Sequence, residues 1–197
     1  VTQYSNQTRQ EIQRLDRLLT KVLLKQVMPL LQGALKPELV DLVALFQHFL
    51  MHQLWQDAAY QRVIFQTDSD EVIISVEPII LEQVLENLLS NALKYSSNSN
   101  KPVEVGLETL ATDIRITVKN YGIGIPAEDL EHIGKSFFRG SNSTLIAGIG
   151  LGLSLSHQFI QQHGGRLEIE SQLGRYTLCT ILLPRSPSYQ EERPSTF

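Results

Sequence analysis

The chain has 197 residues, 42% of them hydrophobic and 19% charged, with a net charge of -4. That length suits one medium domain plus an extension, and the negative balance argues against a nucleic-acid partner. The single cysteine, Cys179, excludes a disulfide within the chain and fits a reducing compartment, and no apolar run approaches the roughly 20 residues of a membrane span.

Residues 1–28 read as an amphipathic helix, with Ile12, Leu15, Leu18, Leu19, Val22 and Leu23 at helical spacing and Arg14, Arg17 and Lys21 between them. The stripe is narrow, which suits pairing with another helix as well as packing on its own domain. Met28-Pro29 and Gly33 break the pattern, so residues 29–38 form a linker. The spacing of Leu39, Leu42, Leu45, Phe46, Phe49 and Leu50 predicts a second helix over 38–60. Val63-Ile64-Phe65 and Val72-Ile73-Ile74 are short β-rich runs around a turn at Thr67–Asp70, and residues 78–96 read as a strong helix. Residues 102–109 and 113–119 alternate as strands. Residues 120–149 form a long Gly-rich loop with a short helix near Ala127–Ile133, and loops of that length usually carry function. A helix over 150–163 and strands over 166–171 and 176–183 follow, and the tail 185–197 frays. The expected fold is α/β, a two-layer sandwich of a mixed, largely antiparallel sheet with helices on one face, preceded by an N-terminal helix. The opening Val1, with no signal-peptide pattern behind it, suggests a piece of a longer chain, with room for a membrane segment upstream.

Three constellations carry chemistry. On the helix of Leu81, Val84, Leu85, Leu88, Leu89 and Ala92, the residues Asn87, Asn91 and Lys94 fall within about 60° of each other, about 120° from the apolar stripe. Asn is a mediocre helix former, so two on one face need a reason: solvation, or an amide oxygen for magnesium and an ammonium for phosphate. Next, Asn120-Tyr121-Gly122-Ile123-Gly124-Ile125-Pro126 follows a strand directly. Its glycines permit a sharp turn and close backbone approach to a ligand, although ordinary turns also look like this. Last, Gly148-Ile149-Gly150-Leu151-Gly152-Leu153 opens a helix, where free N–H groups can take phosphate oxygens or glycine can simply permit tight packing. The spacing is not the dinucleotide fingerprint. Gly134-Lys135-Ser136 ends like a Walker loop, but Asp129 stands where its first glycine belongs.

In this order, Asn-x-x-x-Asn-x-x-Lys-Tyr (87–95), Gly-x-Gly-Ile-Pro (122–126), Phe-Phe-Arg-Gly (137–140) and Gly-x-Gly-Leu-Gly-Leu (148–153) resemble the N, G1, F and G2 boxes of the histidine-kinase ATPase domain, in the GHKL (Bergerat) superfamily of gyrase and chaperone ATPases. His163-Gly164-Gly165, Glu170-Ser171 with Gly174, and Leu183-Pro184 also look like that family. The resemblance covers residues 39–184, and residues 11–25 look like the second helix of the family's dimerisation hairpin. It implies an ATP-binding catalytic domain with ATP and magnesium as its small-molecule partners. Asn91 would be the main magnesium ligand with Asn87 beside it, and Lys94 and Tyr95 would approach the phosphates and nucleotide. Asn120 would contact the adenine in a pocket shaped by Gly122, Gly124 and Ile125. Arg139 would reach phosphate from a lid between residues 126 and 147, and Gly148, Gly150, Leu151 and Gly152 would line the phosphates. Phe137 and Phe138 would steady the lid or simply pack in the core. The resemblance further implies transfer to a histidine outside this fragment, relay to a response regulator, a homodimer in the intact protein, and a cytoplasmic location.

Asn87 supports transfer over hydrolysis, because the hydrolytic relatives carry Glu there and an amide cannot activate water. Two positions depart from the pattern. Asn120 stands where the family usually has Asp, a loss of about 1 kcal/mol in charge-assisted bonding. Gly134 stands where an aromatic begins the F box. None of His48, His52, His132, His157 and His163 carries the acceptor-box pattern, so the acceptor is expected upstream of the hairpin's second helix. His48 and His52 have a spacing that also suits a metal, with no third ligand nearby. The alternatives are a degenerate nucleotide- or partner-binding module and an ATPase machine of the gyrase or chaperone type.

Overall fold

The computed structural model describes residues 35–96, 100–143 and 150–185. The expected helix over 1–28, most of the linker, Gly148 and nearly all of the tail lie outside the described residues.

The first described element corrects the sequence expectation. Glu38–Asp41 is a strand, β1, rather than the start of a helix. It pairs antiparallel with β3 (Ile73–Val76), so that Val40 faces Ile74. Helix α1 begins only at Leu42 and runs to Gln56. Asp41 sets that boundary: its carboxylate accepts from the N–H groups of Val43 (3.0 Å) and Ala44 (3.4 Å) and of Val72 (3.1 Å), capping the helix and clamping the β3 approach at once. Asp57 ends α1 in extended backbone and caps a 3₁₀ turn, Ala58–Arg62. A periodicity of apolar residues cannot register either break, because both depend on an Asp leaving helical φ/ψ.

The main sheet has five strands in the order β2 (Val63–Thr67), β4 (Val103–Thr109), β5 (Asp113–Asn120), β7 (Tyr176–Pro184) and β6 (Arg166–Gln172). Only β2 and β4 run parallel, and the remaining pairs are antiparallel. Helix α2 (Pro78–Tyr95) spans the region between β3 and β4, the length a parallel crossover needs. Short helix α3 (Ala127–Leu130) and helix α4 (Gly152–Gln162) complete the order.

Strand β5 shows how the layers form. Ile114, Ile116 and Val118 are buried, while Asp113, Arg115, Thr117 and Lys119 alternate with them on the other face. The buried set meets Leu81, Leu85 and Leu89 of α2 in one core with Phe46 of α1 and Ile160 of α4. Each fully buried Leu contributes about 1.5–3 kcal/mol from area removed from water. Phe46 stacks on Phe65 of β2 at 5.2 Å between centroids, tying α1 to the sheet edge. Among the described residues no helix is long and apolar enough to cross a membrane.

The end of α4 is locked by a histidine. His163 Nδ1 donates to the Phe159 carbonyl (2.8 Å) and Nε2 accepts from the Glu77 N–H (3.0 Å) at the start of α2. Both ring nitrogens are used, so the neutral δ-tautomer joins the two helices. Gly164, at φ +73°, and Gly165 then close the helix through N–H bonds to Gln161 and Ile160.

Candidate functional site

The sheet and two helices leave a cleft of about 570 Å³, within the range of small-molecule sites. Strands β5 and β7 form its floor through Val118, Asn120, Thr177 and Cys179. Helix α2 makes one wall, the segment 123–125 and the residues 138–143 make the opposite side, and the start of α4 closes the end.

On the α2 wall, Asn87, Asn91 and Lys94 line the cleft together, as their spacing predicts, and Tyr95 lines it beside them. Gln83, one turn before Asn87, joins them. It was legible from the same i, i+4 line and was missed because it lacks obvious chemistry. Asn87 Nδ2 donates to Ser156 Oγ of α4 (2.8 Å), and Asn91 Nδ2 makes a long 3.5 Å contact to Asn87 Oδ1. With its nitrogen toward Asn87, the Asn91 amide has its oxygen to offer a cation at this wall. Among the described residues no group of three His, Cys, Asp or Glu could hold a metal ion. A magnesium ion at this wall would therefore rest on Asn91, nucleotide phosphates and water, a set that fits a hard cation which keeps part of its hydration shell.

Lys94 and Arg139 converge on the same cleft from α2 and from the 138–143 segment. Burial, and then the Arg139 guanidinium, lower the Lys94 ammonium below the ordinary lysine pKa. Both cations line the cleft, where a polyanion would meet them. Arg139 is itself steadied by donating to the Ser143 carbonyl (2.7 Å). A bound triphosphate must raise the Lys94 pKa again, so binding should take up protons at alkaline pH and weaken as pH rises through the free-protein value. Calorimetry in two buffers of different ionisation enthalpy reads this directly. Equal heats in both buffers at alkaline pH would place Lys94 away from the phosphates.

The start of α4 is built for an anion. Gly152 opens the helix, no side chain caps it, and no acidic residue occupies its first turn. Gly150, Leu151 and Gly152 line the cleft end at this helix start, where free N–H groups and the helix dipole would favour an anion. Glycine relieves crowding at two positions here, against backbone at Gly150 and against a side chain at Gly152. Gly150 has φ +77°, and a Cβ would fall 2.5 Å from the Phe138 carbonyl oxygen. At Gly152 a Cβ would fall 1.8 Å from Asn87 Oδ1. Phe137 N–H donates to the Gly150 carbonyl (2.8 Å), which couples the Phe-Phe-Arg segment to the glycine segment.

The 121–126 turn follows β5 as expected. Gly124 and Ile125 line the cleft, whereas Gly122 does not. Gly122 instead lets the turn press on the end of α2, where a Cβ would lie 2.1 Å from the Tyr95 carbonyl oxygen. Ile125 N–H donates to Ser171 Oγ (2.9 Å), so β6 braces the turn from below. Asp129, buried, accepts from both the N–H (2.7 Å) and the hydroxyl (2.8 Å) of Ser141, and Asn142 Nδ2 donates to the Gly124 carbonyl (2.9 Å). These anchors of residues 138–143 carry no motif signal. Phe138 lines the cleft, edge-on to His132 at 5.6 Å, while Phe137 is exposed and holds φ +67°. Core packing therefore does not explain Phe137, and a non-glycine residue in that region signals stored strain. Gly134 faces open space with ordinary backbone geometry, so Gly134→Ala should raise stability by about 0.4–1 kcal/mol. Thermal unfolding checks it, and a lowered midpoint would mean that the position needs glycine.

On the floor, Asn120 is 5% exposed and its Nδ2 has no hydrogen-bond partner among the described residues. Such an orphan is rare in a folded protein, and a ligand acceptor in the cleft would satisfy it. Cys179 lies beside it. The residue is partly exposed, yet its sulfur is enclosed by protein and its pKa is pushed up to about 12, so the thiol stays protonated.

The comparisons agree with this geometry. Residues 76–187 match the family described as histidine kinase-, DNA gyrase B-, and HSP90-like ATPase. The sensor histidine kinase YkoH of Bacillus subtilis is 33% identical over 127 residues, covering 63% of this chain and 27% of that protein. The adaptive-response sensory kinase SasA of Synechococcus elongatus is 28% identical over 181 residues, covering 91% of this chain and 46% of its own length. The nucleotide-free catalytic domain of histidine kinase ThkA superimposes with a TM-score of 0.65 at 25% identity, covering 78% of this chain and 98% of that one. The chain thus spans between about a fifth and about half of the length of the curated relatives it matches. With its cleft walled by an Asn-bearing helix, a Gly-Ile-Pro turn and a glycine-opened helix, the chain belongs to the histidine kinase-, DNA gyrase B- and HSP90-like ATPase family and carries its ATP-binding domain in the form of a sensor histidine kinase.

Proposed function

We propose that this domain transfers the γ-phosphoryl group of ATP to a histidine imidazole outside the described residues, for relay to an Asp of a response regulator. One observation carries the choice of transfer over hydrolysis: no carboxylate lines the cleft among the described residues. Water attack would need a general base, and Asn87, already bonded to Ser156 and Asn91, cannot be one. Phosphoryl transfer needs position and charge neutralisation instead. The first turn of α4 holds phosphate oxygens, and Lys94 and Arg139 neutralise the charge that develops as the β–γ P–O bond breaks and the P–N bond forms. Asn91, with Asn87 orienting it, would hold magnesium, which supplies further charge neutralisation on the phosphates. Asn120 reads the base, with Gly124 and Ile125 beside it, and Tyr95 borders the nucleotide.

None of the described histidines lines the cleft, and His163 has both nitrogens engaged. The acceptor is therefore read as belonging to a dimerisation hairpin whose second helix is residues 1–28, in a cytoplasmic homodimer. The catalytic domain is taken as residues 39–184. Incubation with γ-labelled ATP and a separately supplied histidine-bearing hairpin tests this. Acid-labile, base-stable label on the hairpin is the expected result. Steady phosphate release without labelled histidine would assign the domain to hydrolysis. Nucleotide binding without either product would favour the degenerate module.

A further inference from the structure

We propose that Asn120 makes the base end of the cleft ambivalent, so that it accepts 6-oxopurine as well as 6-aminopurine nucleotides. This rests on the reading of the cleft as a nucleotide site. Asn120 ends β5 and is held by pairing with Thr177 of β7, so its side chain cannot withdraw to solvent. Its Nδ2 is buried in the cleft floor without a partner among the described residues. The neighbouring polar groups are already committed. Thr177 Oγ1 pairs with Ser171 Oγ (2.9 Å), Asn142 Nδ2 is bonded to Gly124, and the protonated Cys179 thiol is only a weak donor. The Asn120 amide is thus the group left to read a base edge.

A primary amide presents one donor and one acceptor side by side, and rotation by half a turn exchanges them. A 6-aminopurine presents a donor, N6–H, beside an acceptor, N1. A 6-oxopurine presents an acceptor, O6, beside a donor, N1–H. The amide meets either edge with two hydrogen bonds. A carboxylate at the same position would have acceptors only, favouring the amino edge and opposing the oxo edge. The neutral side chain therefore exchanges selectivity for breadth, and the donor that is orphaned in the protein alone is satisfied by N1 of one base or O6 of the other.

Calorimetric titration of the chain with ATP and with inosine triphosphate, which differ in this edge, decides the matter. The wild-type chain should bind the two within about tenfold of each other, and Asn120→Asp should shift the ratio toward ATP by about tenfold or more. A wild-type preference for ATP of about 100-fold or more would overturn the proposal, as would an unchanged ratio in a folded Asn120→Asp chain. If that variant does not fold, the wild-type ratio alone decides. Binding of neither nucleotide would remove the nucleotide-site reading as well, whereas binding of ATP without inosine triphosphate would remove only this inference.

Discussion

Asn91→Ala is expected to weaken binding of magnesium–ATP by about 100-fold or more, roughly 3 kcal/mol, and to leave the fold intact. The two halves of that expectation have separate physical origins. Asn91 lies on the cleft side of α2, half-buried, and its amide nitrogen makes only a 3.5 Å contact to Asn87. Removing it exposes no core residue, and Ala is the better helix former, so stability should hold or rise slightly. Its oxygen, by contrast, is the amide acceptor that the Asn87–Ser156 pair leaves for a cation. No carboxylate lines the cleft among the described residues to take its place. Titration with and without magnesium separates the effects: the variant should lose the magnesium-dependent part of the affinity and keep much of the rest. Wild-type affinity in a folded Asn91→Ala chain would move the metal away from this helix.

Gly150→Ala and Gly152→Ala should each reduce nucleotide affinity by about 30-fold or more, by two different routes. At Gly150 the backbone lies in the left-handed region, which costs an L-residue roughly 1–2 kcal/mol, and the added methyl meets the backbone of Phe137 and Phe138. The strain falls on the segment that carries Arg139. At Gly152 the backbone has ordinary geometry, and the obstacle is the Asn87 side chain. Displacing it breaks the bond to Ser156 and releases Asn91 from its orientation. Gly150→Ala should therefore lower thermal stability as well as affinity, while Gly152→Ala should lose affinity with a smaller stability change. Thermal unfolding beside titration distinguishes them. Equal affinities for both variants and the wild type would mean that the start of α4 does not hold the phosphates.

The parts of this molecule that were readable in advance are those where one residue type answers one physical demand. The alternation Ile114, Ile116, Val118 placed β5, and the spacing of Asn87, Asn91 and Lys94 placed three side chains on one wall of the cleft. The glycines at 124, 150 and 152 were visible for the same reason, since close approach or positive φ leaves little choice of residue. What escaped depends on pairs of distant residues. Strand β1 exists because Ile73–Val76 is there to pair with it and Asp41 caps the helix behind it. Gly122, read as pocket lining, answers instead to the carbonyl of Tyr95 at the end of another element. The same holds for His163, whose role needs Glu77 from far away in the chain, and for Asp129, whose partner Ser141 lies across a loop. Asn120 was expected to face a base; the structure places it on the cleft floor, and its buried amide, without a partner among the described residues, appears only once β5 and β7 enclose it.

The central claim is that Asn91, Lys94, Asn120 and the glycine-opened helix form one nucleotide site. Calorimetric titration of the chain with a non-hydrolysable ATP analogue, with and without magnesium, tests it most directly. Saturable binding with one nucleotide per chain, tightened by magnesium, is the expected result. An absence of binding at millimolar nucleotide in both conditions, from a chain shown to be folded, would contradict it.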